Sequence, residues 1–190
     1  MVNSVADAMH TEFKKAKTSK EIRSLTAFDR KVFRGSDRFP AEYWKQIDVF
    51  WMLIDNVKVG CCGFERNVDF QGDLSEDGIN PRMEGSLYVA TTGILPKFQG
   101  LGLGQMLKCW EISYARHHRF HRIVTNTRER NVIMIELNKK FGFQVIRTTP
   151  RYYSSPMDST VVMELRLTPA QSRVRAPARS AAHGNAKRRA

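Results

Sequence analysis

An apolar run, Leu87-Tyr88-Val89-Ala90-Thr91-Thr92-Gly93-Ile94-Leu95-Pro96, leads through Lys97-Phe98 into Gln99-Gly100-Leu101-Gly102-Leu103-Gly104. Beyond it, Leu103, Met106, Leu107, Trp110 and Tyr114 recur at helical spacing. The order is strand, glycine loop, helix, and it fixes more of the fold than any other stretch. Glycines leave the backbone open to close approach, and the free N–H groups and dipole of a helix start attract anions such as a pyrophosphate. The flanks narrow the choice of ligand. A P-loop needs Gly-Lys-Ser/Thr, whereas Gln105 and Met106 follow Gly104. A dinucleotide fold wants an acid about twenty positions on, and Phe120-His121-Arg122-Ile123-Val124-Thr125 holds none.

Gln-x-x-Gly-x-Gly after a strand ending Gly-Ile-Leu-Pro resembles the acetyl-CoA loop of the GNAT superfamily of acetyl-CoA-dependent N-acetyltransferases. The likeness continues through Asn131 to Phe143, where NVIMIELNKKFGF is similar to the family's second CoA-contacting helix and its Gly-Phe exit. It spans residues 11 to 167. The resemblance implies an α/β fold of the α+β kind: a mixed, mostly antiparallel sheet of about seven strands flanked by about four helices. It also implies acetyl-CoA as cosubstrate, held by Gln99, Gly100, Leu101, Gly102, Leu103, Gly104 and Asn131, with backbone N–H groups near Ile94 and Leu95 polarising the thioester.

The 190 residues suffice for one domain with a sizeable core, expected over 1–169. No apolar run reaches membrane-spanning length and the first residues lack a signal-peptide core, so a cytoplasmic protein is expected. Cys61, Cys62 and Cys109 form no metal or disulfide pattern and are read as packing residues. His117 and His121, four apart without a carboxylate, do not make a metal site. The net charge of +12 invites a nucleic-acid reading, but half of it comes from Arg173, Arg175, Arg179, Lys187, Arg188 and Arg189. The acid-free segment 170–190 is expected to be a disordered tail, serving either as a solubilising end or as an RNA or ribosome contact.

Along the chain, Thr11 to Lys17 reads as a first strand, and Thr18-Ser19-Lys20-Glu21 has the spacing of a capping box. The helix that follows should end at Gly35. A second helix is expected over Ala41 to Gln46, and Val49 to Ile54 and Val57 to Phe64 form a hairpin about Asp55-Asn56. Gln71 to Gly85 reads as a loop. Strands are expected over Phe120 to Thr127, Phe143 to Arg147 and Thr160 to Leu167. A helix capped by Asn131 and closed by Gly142 follows the first of them, and Thr148 to Pro156 is a loop before the last.

Within the superfamily, three places resemble the branch that acetylates protein α-amino groups. Phe39-Pro40 lies where that branch lines the pocket for the first residue. Tyr88 matches its catalytic strand tyrosine, and Tyr152-Tyr153 is similar to the pair that clamps the substrate backbone. Two positions depart from the pattern. Asn126 stands where the branch has a glutamate or histidine that takes the amine proton, and Asn138 where most of the superfamily has a tyrosine that protonates the leaving thiolate. An amide does neither by proton transfer. Glu84, on one face with Ser86, is the reserve general base.

A peptide α-amine, with a pKa of about 7.7 to 8.0 against about 10.4 for lysine, is already partly nucleophilic near neutral pH. A weak base then suffices, and positioning supplies much of the rate. Three functions stand: a protein or peptide Nα-acetyltransferase, a small-amine acetyltransferase, and a non-catalytic acyl-CoA binder associated with the ribosome.

Overall fold

The capping box forms as read: Thr18 Oγ1 accepts from the Glu21 N–H (3.2 Å) while the Glu21 carboxylate accepts from the Thr18 N–H (3.0 Å). It starts helix α1, Ser19–Val32. The computed structural model describes residues 10–33, 37–66 and 85–167. Helix α1 stops at Val32, with Phe33 already extended, before the expected terminator. Gly35 itself lies outside the described residues. So do Glu84, segment 170–190 and all of the Gln71 to Gly85 stretch but Gly85.

The other elements are β1 (Thr11–Lys15), α2 (Ala41–Gln46), β2 (Asp48–Ile54), β3 (Val57–Arg66), β4 (Ser86–Ile94), α3 (Leu103–His117), β5 (Arg122–Arg128), α4 (Val132–Lys140), β6 (Gln144–Ser154) and β7 (Met157–Arg166). Asp55 and Asn56 turn the β2–β3 hairpin with φ of 48° and 65°, the positive values that match strand twist. The strands make one sheet in the order β1-β2-β3-β4-β5-β7-β6. Among the described strands only β4 and β5 run parallel, because the chain crosses between them through α3.

Each face of the sheet carries a core. Met52, Phe64, Leu87, Leu107, Ile123 and Met163 fill one, with α3 packed into it. Leu25, Phe28, Trp44 and Trp51 join α1, α2 and the strands on the other. This double cover explains why β2 and β3 do not alternate in sequence.

Two irregularities shape the functional end. Phe64 pairs with Val89 but Gly63 pairs with Thr91, so Ala90 is an extra residue on β4. The β4–β5 pairing stops at the same level, at Val89 and Thr125, and the two strands part there. The second irregularity corrects an expectation. Thr148 to Pro156 is mostly strand: Thr149 pairs with Thr160 and Tyr153 with Asp158, leaving Pro150, Arg151 and Tyr152 opposite one residue. Strand β6 is at the sheet edge, where a proline is tolerated, and Arg151 takes φ 55°.

Helix α3 is also rotated from its expected face. Lys108, Glu111, Ile112 and Ala115 are buried beside Leu103 and Leu107, while Met106, Trp110 and Tyr114 are half-buried. The aromatics instead stack at the rim, Phe13 on Trp110 at 4.4 Å and Phe64 on Tyr114 at 4.9 Å. Cys61 and Cys62 are packed in the core, but Cys109 is exposed on the outer face of α3. No helix among the described residues is long and apolar enough to cross a membrane.

Candidate active site

The glycine loop is held open by its own backbone. Gly100 and Gly102 have φ of 80° and 79°, and a side chain added at either would meet no protein atom within 4 Å. Gly102 is the N-cap of α3 and has no side chain to satisfy the first helical N–H groups. Gln99 steadies the loop, its side-chain amide donating to the Ile94 carbonyl at 3.0 Å. Leu101 is exposed, Leu103 is buried, and a Cβ added at Gly104 would meet Leu137 of α4 at 3.6 Å. Bare donors, open space and a positive helix end fit the phosphates of acetyl-CoA.

Past this loop, where β4 and β5 part, lies a cavity of about 220 Å³. Its β4 wall is Tyr88 to Thr92, the bulged segment, rather than Ile94 and Leu95. The Leu95 N–H donates to the Val59 carbonyl at 2.9 Å and so is committed to the sheet.

Phe39, Tyr88, Asn126, Tyr152 and Tyr153 line one side of this cavity together. The Tyr88 hydroxyl donates to Asn126 Oδ1 at 2.5 Å, and Asn126 Nδ2 donates onward to Thr160 Oγ1 at 3.2 Å and the Tyr153 hydroxyl at 3.4 Å. Burial pushes the Tyr88 phenol well above its ordinary value, with neighbouring tyrosines and Glu65 acting in the same direction. The Tyr88 hydroxyl is thus held protonated, as a hydrogen-bond donor to Asn126. Phe39 stacks on Tyr43 at 4.4 Å, and the Tyr43 hydroxyl donates to Glu65. Asp29 fixes Phe39 from beneath, accepting its backbone N–H at 3.2 Å, while burial raises the Asp29 carboxyl to about 6. Pro40 is exposed, caps α2 and is not part of the cavity wall.

Three further residues enter that sequence reasoning passed over. Arg128 grips Asp37 through both carboxylate oxygens (2.7 to 2.9 Å) and lies over the Tyr153 ring at 4.0 Å, so it sets the mouth of the cavity. These partners are 91 positions apart and carry no local signal. Lys108, the third, lines the opposite side near Thr92. Its ammonium is 2.6 Å from Glu111, whose other oxygen accepts from Thr92 at 2.7 Å. A signal existed: Leu103, Leu107 and Glu111 are spaced four apart, so the acid falls on the apolar stripe.

Asn131 caps α4 by accepting from the Met134 N–H at 3.3 Å, and it lines the cavity. Asn138 does not. It is 1% exposed, its amide donates to Met163 Sδ at 3.7 Å, and its carbonyl oxygen is buried without a partner among the described residues.

The family model for the acetyltransferase (GNAT) family matches residues 17–143, more than half of the chain. No curated protein sequence matches. Solved structures are similar in fold at low identity. One is the ribosomal-protein-S18-alanine N-acetyltransferase from Escherichia coli, with a TM-score of 0.68 and 11% identity, covering 87% of this chain and 99% of that one. An IAA acetyltransferase from Bacillus cereus has a TM-score of 0.60 and 12% identity, covering 83% and 100%. A GNAT family acetyltransferase from Elizabethkingia anophelis, solved with acetyl-CoA bound, has a TM-score of 0.65 and 12% identity, covering 83% and 98%.

Proposed function

The chain belongs to the acetyltransferase (GNAT) family, and from that premise we propose that this acetyl-CoA-dependent enzyme acetylates the α-amine of a protein or peptide in the cytoplasm. One observation carries the reading. Phe39, Tyr88, Tyr152 and Tyr153, far apart in sequence, line a single cavity that opens where β4 and β5 separate. An apolar ring for a first side chain and tyrosine hydroxyls for a peptide backbone suit an amino terminus better than a polyamine. A polyamine would call for acids along the wall, and the one carboxylate lining the cavity among the described residues, Asp37, is neutralised by Arg128.

Acetyl-CoA supplies the activated acyl group, and the chain's residues do the rest. The amides of Leu103 and Gly104 with the α3 dipole hold phosphate, and Gln99 keeps their loop closed on the end of β4. Backbone N–H groups of β4 would polarise the thioester carbonyl. Tyr88 orients the incoming amine, and its hydrogen bond to Asn126 offers a path by which a proton moves out toward Thr160, Tyr153 and water. Asn126, lacking a base, holds Tyr88 in place. Glu84 is retained as the reserve base of this reading. The acid-free segment 170–190 contributes solubility or an RNA contact, not chemistry.

A small-amine acceptor is the second reading, since the structural neighbours include an IAA acetyltransferase beside a ribosomal-protein enzyme. The test is a panel of amino-terminal peptides, free lysine and polyamines with acetyl-CoA, following thiol release. Peptides should outperform lysine, whose ammonium of pKa about 10.4 needs a stronger base than this cavity contains. Preference for a polyamine would establish the second reading, and CoA binding without turnover on any amine would establish a non-catalytic binder.

A further inference from the structure

Lys108 is 1% exposed, yet its side chain lines the cavity one turn into α3 from the glycine loop. Its ammonium carries three N–H donors. Glu111 is the carboxylate it pairs with, at 2.6 Å, and the Phe143 ring lies 5.3 Å from the nitrogen. Glu111 is itself 0% exposed and held on its far side by Thr92, so it anchors the cation from behind without lining the cavity. A buried Lys–Glu pair is a poor source of stability, because desolvation offsets the attraction. Its placement at the wall of a reaction cavity calls for another account.

The chemistry of the site lacks one participant. Thioester aminolysis releases a thiolate, and Asn138, the position from which the resemblance leads one to expect help, is buried against Met163 and away from the cavity. Among the described residues the cations that line the cavity are Lys108 and Arg128, and Arg128 is committed to Asp37 on the acceptor side. We propose that Lys108 is the residue that holds the departing CoA thiolate. The inference rests on the acetyl-CoA reading of the cavity and adds a role to it. The step balances as follows: the amine nitrogen forms the new C–N bond, the C–S bond breaks, and its electron pair stays on sulfur. The proton lost by nitrogen leaves past Tyr88 to water. Lys108 remains an ammonium throughout, stabilising the charge on sulfur where solvent is excluded.

The decisive readout is the thiol of bound CoA, not turnover. Full-length protein is saturated with CoA, thiolate is followed by ultraviolet absorbance against pH, and desulfo-CoA complexes subtract the protein's own cysteines. An ammonium within reach should lower the bound thiol by about one pH unit or more relative to free CoA in the same buffer. The Lys108→Met/Glu111→Leu double variant removes both charges, so neither is left orphaned in the core. In it the shift should vanish, and turnover with acetyl-CoA should fall at least tenfold with KM little changed. A wild-type thiol titrating with or above free CoA overturns the proposal, as does an unchanged shift in the double variant. If the double variant does not fold, the wild-type titration decides alone. Failure of the wild-type protein to bind CoA at all would overturn the cofactor reading as well, which separates the two failures.

Discussion

At Tyr88, one hydroxyl links the strand bulge to the acceptor cavity through its 2.5 Å hydrogen bond to Asn126. Tyr88→Phe keeps the ring and loses the relay, so CoA affinity should be unchanged while turnover falls by about two orders of magnitude, the scale of a positioned proton-transfer group. Steady-state kinetics together with CoA binding by calorimetry check this. Unaltered turnover would pass the role to Glu84 or to water. Because burial holds the phenol well above its ordinary value, its ionisation should not shape the pH profile of the wild-type enzyme in the range where the α-amine titrates. A limb near pH 7.7 to 8.0 should follow the substrate amine instead, rising with pH as the free base appears.

At the scale of elements, α1 and the loop after it are joined by Asp29, and the glycine loop starts α3. Asp29 has one oxygen on the Phe39 N–H and the other buried without a partner among the described residues. Its carboxyl is raised by burial from 3.8 to about 6, so the folded state favours the protonated form. The stability tied to this group is present below pH 3.8 and is lost as pH rises through about 6. Asp29→Asn keeps an acceptor for Phe39 and removes the buried charge. Relative to wild type it should gain stability on going from pH 4 to pH 8, by up to about 3 kcal/mol, as read by denaturant melts at both pH values. A gap that does not grow with pH would show that Asp29 ionises in the folded protein as it does in the unfolded chain, so that burial does not raise its carboxyl. In the glycine loop, Gly102→Val introduces a β-branched residue at φ 79° and fills open space in front of the α3 amides. Folding should survive a strain of about 1 to 2 kcal/mol, but acetyl-CoA affinity should be abolished. Undiminished affinity in the folded variant would remove the loop from the site.

The described residues form a sheet covered on both faces, with the candidate cleft where their one parallel pair of strands separates. The described fold closes at Leu167, which is buried and donates its N–H to the His121 carbonyl. Segment 170–190 has six basic residues and almost no apolar side chain to anchor it at the cleft. Removing it should leave turnover on a short peptide within tenfold of wild type, which is about 1.4 kcal/mol in barrier terms. A larger loss would give the tail a part in the reaction. Loss of RNA or ribosome binding alone would be consistent with an electrostatic contact that high salt also breaks.

What the residues determined by themselves were the features written into local spacing. Thr18 and Glu21 specify their own cap, Asp55-Asn56 its hairpin, and Gln99 to Gly104 a loop that no other side chain composition would leave bare. Asn131 and Gly142 bracket α4 for the same reason, each acting on backbone groups within a few positions. Tertiary structure decided what depends on distant partners. The bulge at Ala90 arises from pairing β4 with β3, and it lies in the Tyr88 to Thr92 segment that lines the cavity. The irregular pairing of β6 with β7 turned an expected loop into a strand that carries Tyr152 and Tyr153 to the cavity. Lys108 and Glu111 stand three apart on α3, and only Glu111 falls on the stripe of Leu103 and Leu107. Only the packing of α3 against Thr92 and Phe143 shows the pair enclosed, because burial of a charge is decided by which neighbours close around it.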